Sequence, residues 1–244
     1  MGNGRTAIVT GAGKRVGADI ARALVADGWT VIAHVHHPSD NVPDGAIKVS
    51  ADLLLPDCAE RIFAAVDGHA PVCLLVNNAA RFAWDGVGEF DPGEFDAHMA
   101  VNVRAPALLI DRFSKEQDGS RDSLIVNLLD SKLAALNPDY LSYTLSKQAL
   151  AGLTELAARA LAPRRIRVNG IAPGLMLRSS GQSEENFERM HANNPLRHGV
   201  TTEDVISTIR YLVEARAVTG QTIVVDSGQH FLGLERDVQF LEDQ

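Results

Sequence analysis

Cysteine is scarce in this sequence: Cys58 and Cys73 are the only two among 244 residues. Both stand in apolar surroundings and neither forms a CxxC pair. That excludes a disulfide framework and a cysteine-built metal site, and it indicates two reduced thiols. No metal is expected. Long apolar runs are missing too, and none approaches the roughly 18 residues that a membrane-spanning helix needs. The stretch Met1-Gly2-Asn3-Gly4-Arg5 lacks the apolar core of a secretory signal, so a cytoplasmic location is expected. Positive charge is in deficit, with 23 Lys and Arg against 31 Asp and Glu and a net charge of −8. Such a chain repels nucleic acid and anionic membranes, so neither is expected as a partner, and any bound anion must meet a local positive site. Repeats, low-complexity tracts and linkers are also absent. Residues 1–244 therefore read as one domain with its own core.

What is present is a regular alternation. Thr6 to Thr10, Thr30 to Val35, Ala46 to Ser50, Val72 to Val76, Ser123 to Leu129, Ile166 to Ile171 and Thr222 to Val225 are apolar strand candidates. Between them lie helical patterns. Val16, Ile20, Ala23 and Leu24 recur at helical spacing until Asp27-Gly28. Asp91-Pro92 has the form of a helix start, with that helix running towards Glu116, and Asn137-Pro138 has the form of another. Buried strands separated by helices predict an α/β fold: a Rossmann-type doubly wound parallel sheet of about seven strands with helices on both faces. Residues 175–200 carry no clear strand. They are either a mobile substrate loop over a site or a surface excursion.

Thr10-Gly11-Ala12-Gly13-Lys14-Arg15-Val16-Gly17 lies between the first strand and the first helix. Glycine there allows a tight turn and close backbone approach to a pyrophosphate, and the helix N-terminus supplies N–H groups and partial positive charge. Charge then selects the nucleotide. A site for NAD usually has an acid at the end of the second strand, yet His34-Val35-His36-His37-Pro38-Ser39 stands here with no acid before Asp40. Lys14, Arg15, His37 and Ser39 would instead attract a 2′-phosphate, which favours NADP(H). Asp52 and Leu53, just after the third strand, are candidates for contact with the adenine. Asn78 and Ala79, with Asn77 and Ala80, end the fourth strand where the cofactor cleft should open.

Tyr143 and Lys147 are four residues apart, so on a helix they share one face. A free phenol has a pKa near about 10, and a neighbouring ammonium lowers it, making Tyr143 a proton donor for hydride transfer. Asp130 follows the fifth strand, thirteen residues before Tyr143, and so sits at the same sheet edge. Pro106 has no N–H to give the carbonyl of Asn102, which predicts a kink and a free carbonyl able to hold a relay water near Lys147. Pro173-Gly174 after the sixth strand would bring backbone next to a nicotinamide.

Those residues, in order and spacing from about Thr6 to Gly228, resemble the short-chain dehydrogenase/reductase family. The resemblance implies catalytic roles for Asn102, Tyr143 and Lys147, with Lys147 also holding the nicotinamide ribose. It further implies a homo-oligomer, a tetramer or dimer. Two departures stand out. Arg15 replaces the middle glycine of the common TGxxxGxG motif, and Asp130 takes the place of the usual serine, with Ser131 one position off. Both resemble the pteridine reductase branch, which includes dihydromonapterin- and dihydrofolate-reducing members. There, Phe82 would match the aromatic that stacks on the pterin. A flat ring between Phe82 and a nicotinamide is physically reasonable, with Arg15 at its polar edge or on the phosphates. Phe82 is equally a hydrophobic wall for any substrate, and Asp130 equally a drift without pterin meaning.

Three functions remain in view: an NADPH-dependent pteridine reductase acting on a small-molecule substrate, a carbonyl/alcohol oxidoreductase such as a 3-oxoacyl thioester or sugar reductase, and a non-catalytic NADP-binding sensor. The second lacks its usual catalytic serine here. The third has no need of Tyr143, Lys147 and Asn102 together.

Overall fold

Seven runs form strands: β1 (Thr6–Val9), β2 (Thr30–Val35), β3 (Ile47–Ser50), β4 (Val72–Asn77), β5 (Ser123–Leu128), β6 (Ile166–Pro173) and β7 (Thr222–Val225). In this computed structural model, which describes residues 4–179 and 181–241, they pair as one parallel sheet in the order β3-β2-β1-β4-β5-β6-β7. Residues 1–3, part of the stretch read above for a signal, lie outside the described residues, as do Ser180 and residues 242–244. The doubly wound α/β expectation therefore holds.

The period of two in each strand sends alternate side chains to opposite faces. Ala7, Val9, Val31, Ala33, Leu74 and Val76 pack on one face with Ile20, Leu24, Val205 and Ile209. These last four come from α1 (Arg15–Ala26) and α7 (Thr202–Glu214). Ile8, Ile32, Leu75 and Ile125 pack on the other face. Their partners lie on α2 (Cys58–Ala64), α4 (Ala105–Glu116) and α5 (Leu141–Leu161). With both faces covered, β1, β5 and β6 are buried throughout, whereas the edge strand β3 exposes Lys48. The strand order turns back between β1 and β4, which opens a crevice at their carboxyl ends.

One helix expectation holds with a refinement and another needs correction. The run from Pro92 to Glu116 is helical without a break, as expected, and its disturbance is a π turn: α3 (Pro92–Met99), capped by the Asp91 carboxylate, then a π-helical turn over Ala100–Arg104, then α4. In the π register the Ala105 N–H reaches back to the Ala100 carbonyl, so the missing N–H of Pro106 is met by widening the helix. Asn137-Pro138 does not open α5. Asn137 accepts from the Asp139 N–H in a local turn, and Tyr140 adopts a left-handed φ of 56° before Leu141 begins the helix. Its true cap is remote: buried Asp85 accepts from the Ser142 N–H (2.8 Å) and the Ser142 hydroxyl (2.5 Å). Residues 175–200, read as carrying no clear strand, hold none among the described residues and carry α6 (Glu184–Ala192), capped by Ser183.

Candidate active site

The turn after β1 is fixed by contacts that only small residues allow. Gly11 has φ +67°, and a Cβ on Gly17 would lie 2.1 Å from the Gly11 carbonyl oxygen and 2.4 Å from Asn78 Nδ2. Gly17→Ala is expected to cost roughly 1–3 kcal/mol by overpacking and to weaken nucleotide binding, readable by denaturant unfolding and cofactor titration. His34, which sequence reading passed over, ties this turn to its neighbours. Its Nδ1 accepts from the Gly11 N–H at 3.1 Å and its Nε2 lies 3.0 Å from the Ala51 carbonyl. Burial pushes its pKa down, which keeps the ring neutral and Nδ1 able to accept. Across the crevice, Thr10 Oγ1 accepts from the N–H groups of Asn78 and Ala79, and Asn78 Nδ2 donates to the Thr10 carbonyl at 2.8 Å.

The carboxyl ends of the strands enclose a cleft of about 320 Å³. Arg15, Val16, Asn78, Phe82, Asp130, Tyr143, Lys147, Pro173 and Gly174 all line it. Nine candidates scattered over 160 residues of sequence are thus brought to one cavity. Lys14, in the turn after β1, and His37 and Ser39, beyond the β2 end, are exposed and do not line the cleft. The Asp52 carboxylate accepts from the Leu54 N–H, and the Leu53 side chain packs into the core below. Arg15 holds a left-handed φ of 52°, where the common motif has glycine, and its guanidinium donates to the Arg178 carbonyl at 3.2 Å.

Tyr143 is buried, and its hydroxyl donates to Asp130 Oδ2 at 2.7 Å. Burial, reinforced by the Asp130 charge and this hydrogen bond, pushes the phenol well above its ordinary pKa. The expected lowering by Lys147 is therefore overturned: the shift runs upward. The Lys147 ammonium lies 5.6 Å from the Tyr143 ring centre and donates to the Leu128 carbonyl at 2.6 Å. Its own pKa is pushed down to about 8 by burial. The pair thus comprises a firmly protonated phenol and a lysine that is cationic below about pH 8.

Asn102 is buried and its side chain is engaged on both sides. Oδ1 accepts from the Arg81 N–H (2.7 Å), while Nδ2 donates to the Arg81 carbonyl (3.0 Å) and to Ser146 Oγ (2.9 Å). It clamps the segment carrying Phe82 against α5. Phe82 in turn stacks on Tyr140 at 4.3 Å and meets the edge of Tyr143 at 4.7 Å. Sequence reading missed a further wall of the cleft, built by Lys132, Arg236 and Asp237. The last two come from beyond β7, and no local motif marks them.

The residues present fit a dinucleotide: a glycine cradle that a Cβ would fill, a helix N-terminus behind it, and a buried amine in the same cleft. Among the described residues no helix is long and apolar enough to cross a membrane. Residues 11–230 match the family described as Enoyl-(Acyl carrier protein) reductase. The chain belongs to the short-chain dehydrogenase/reductase family and, within it, to the pteridine-reductase-like branch. It is 32% identical to pteridine reductase 1 of Leishmania tarentolae, covering 91% of this chain and 95% of that protein. It is 31% identical to carbonyl reductase [NADPH] 2 of Sus scrofa, covering 93% and 96%. The crystal structure of FolM alternative dihydrofolate reductase 1 from Brucella suis, in complex with NADP, superposes with a TM-score of 0.87 at 38% identity, covering 95% of this chain and 97% of that one.

Proposed function

We propose that this protein is an NADPH-dependent reductase of a pteridine-type substrate such as a dihydropteridine, dihydromonapterin or dihydrofolate. The observation that carries the reading is the 2.7 Å hydrogen bond from Tyr143 to Asp130 inside a cleft walled by Phe82. When bound, NADPH supplies the hydride. Tyr143 donates a proton to the substrate. Asp130 accepts from the phenol, holds it protonated and orients it. Lys147 holds the nicotinamide ribose, and the main chain at Asn102 anchors the relay water beside the π turn. Gly11, Gly13, Val16, Gly17, Asn78, Ala79, Pro173 and Gly174 shape the dinucleotide cradle. Asp52 and Leu53 border the adenine, and Lys14, Arg15, His37 and Ser39 meet the 2′-phosphate. Arg15, Phe82, Asp130 and Tyr143 contact the substrate, and residues 175–200 form the loop above it. The enzyme works as one domain in the cytoplasm, as a homotetramer or homodimer.

A second reading, a carbonyl/alcohol oxidoreductase, is supported by the likeness to carbonyl reductase [NADPH] 2. A substrate panel with NADPH separates the two. A dihydropterin is expected to exceed an acetoacetyl thioester in kcat/KM by about tenfold or more, and the reverse order would overturn the first reading. In the same assay NADPH should outbind NADH, since a charge-assisted contact contributes about 1.5–3 kcal/mol.

A further inference from the structure

The cleft has an acceptor that neither the dinucleotide nor the proton transfer uses. Asp237 lies 94 residues beyond Tyr143 in sequence, yet the segment that carries it is tied to the turn before α5. Arg236 grips the Asp139 carboxylate with two parallel bonds of 2.8 Å, and the Asp237 N–H donates to Asp139 Oδ2 at 2.7 Å. The Tyr140 hydroxyl donates to Gln239 Oε1 at 2.5 Å. Burial works against the Asp139 charge, but Arg236 and the Asp237 N–H hold its carboxyl below the usual range. The segment is thus pinned by an ion pair whose carboxylate is buried, and it presents the Asp237 side chain to the cleft.

That carboxylate keeps acceptor capacity. It has about four lone-pair positions, and the Gln239 N–H takes one of them at 3.1 Å. The Lys132 ammonium forms an ion pair with it at 3.8 Å, longer than a hydrogen bond, while donating to the Asp139 carbonyl. Burial pushes the Asp237 carboxyl above its ordinary pKa. Pairing with N–H donors would offset that cost. The surroundings are flat: Tyr140 is stacked between Phe82, at an interplanar angle of 23°, and Phe240, at 24°. Phe82, Tyr140 and Asp237 all line the cleft, and a planar ring laid against Phe82 would present its edge to a carboxylate at the wall. Two adjacent in-plane N–H groups suit a carboxylate bidentately.

We propose that Asp237 is the specificity-determining acceptor for a pair of adjacent N–H donors on the substrate, selecting a flat heterocycle with an amidine- or guanidine-like edge. This rests on the pteridine reading of the same cleft and adds the group that would recognise the ring. The test is binding by the full-length protein with NADP⁺ present, for the wild type and Asp237→Asn. The probes are 2,4-diaminopteridine and quinoxaline, a flat two-ring diazine without N–H donors. Asp237→Asn keeps the acceptor for Gln239 and the side-chain volume. The diamino probe is expected to lose about 10- to 100-fold in affinity on substitution, the scale of a hydrogen bond to a charged group. Quinoxaline and NADP⁺ affinities should change by less than about twofold, which shows the fold intact and the loss specific to the N–H edge. Equal binding of the diamino probe to both proteins, no binding of it by the wild type, or an equal loss for quinoxaline would overturn the proposal. Turnover of dihydropterins is scored separately. If the diamino probe binds through Asp237 while no dihydropterin is reduced, the pteridine reductase reading fails and the recognition site stands.

Discussion

Tyr143→Phe is expected to reduce turnover by about 10²- to 10⁴-fold or more, the range for a positioned proton donor, while NADPH affinity stays within about twofold. The phenyl ring fills the same space and keeps its edge contact with Phe82, so packing changes little. What disappears is the hydroxyl that donates to Asp130. Stopped-flow turnover beside cofactor titration separates the two effects. Near wild-type turnover in Tyr143→Phe would overturn the catalytic assignment. The pH profile carries a related signature. Tyr143 stays protonated across the neutral range because burial and Asp130 push its pKa up. Lys147 loses its charge as pH rises past about 8. The alkaline decline in kcat/KM should therefore set in near pH 8 and belong to the lysine. Lys147→Arg, which stays charged, should remove that decline even where its turnover is low.

Asp130→Ser distinguishes the two proposed chemistries by the sign of its effect. In a pterin reductase the carboxylate helps deliver a proton to the ring, and its loss should lower kcat/KM for a dihydropterin by about 10²-fold or more. In a ketone reductase the same carboxylate opposes any phenolate that forms on Tyr143, and serine should preserve or raise the rate. Serine can still accept from the Lys132 N–H, the bond that Asp130 Oδ1 makes at 2.8 Å, so the turn after β5 should survive. A dihydropterin rate unchanged by Asp130→Ser would remove Asp130 from the reaction. A rise in thioester reduction together with a fall in dihydropterin reduction would be the clearest support for the pterin reading.

Much of this protein is written locally. The seven apolar runs, the turn Thr10 to Gly17 and the Tyr143/Lys147 pair depend on residue type and on spacing of two or four. These are properties of short segments, and parallel strands buried on both faces leave an unmistakable apolar signature. Missing N–H groups are also local, so Pro106 announced a disturbance around Asn102, although only packing decided that it would be a π turn. Other features had no local mark. The Asp85 cap on α5 spans 57 residues, and it displaced the start expected at Asn137-Pro138 because a remote carboxylate satisfied the free N–H groups instead. The direction of the Tyr143 pKa shift could not follow from YxxxK alone. Burial and the 2.7 Å contact with Asp130 exist only once β5 and α5 lie side by side, and together they drive the shift upward. The wall made by Arg236 and Asp237 is held by Asp139, nearly a hundred positions away. Spacing along the chain determined which groups share an element. Only tertiary packing decided which elements meet, and with them the burial and pairing that set each group's charge.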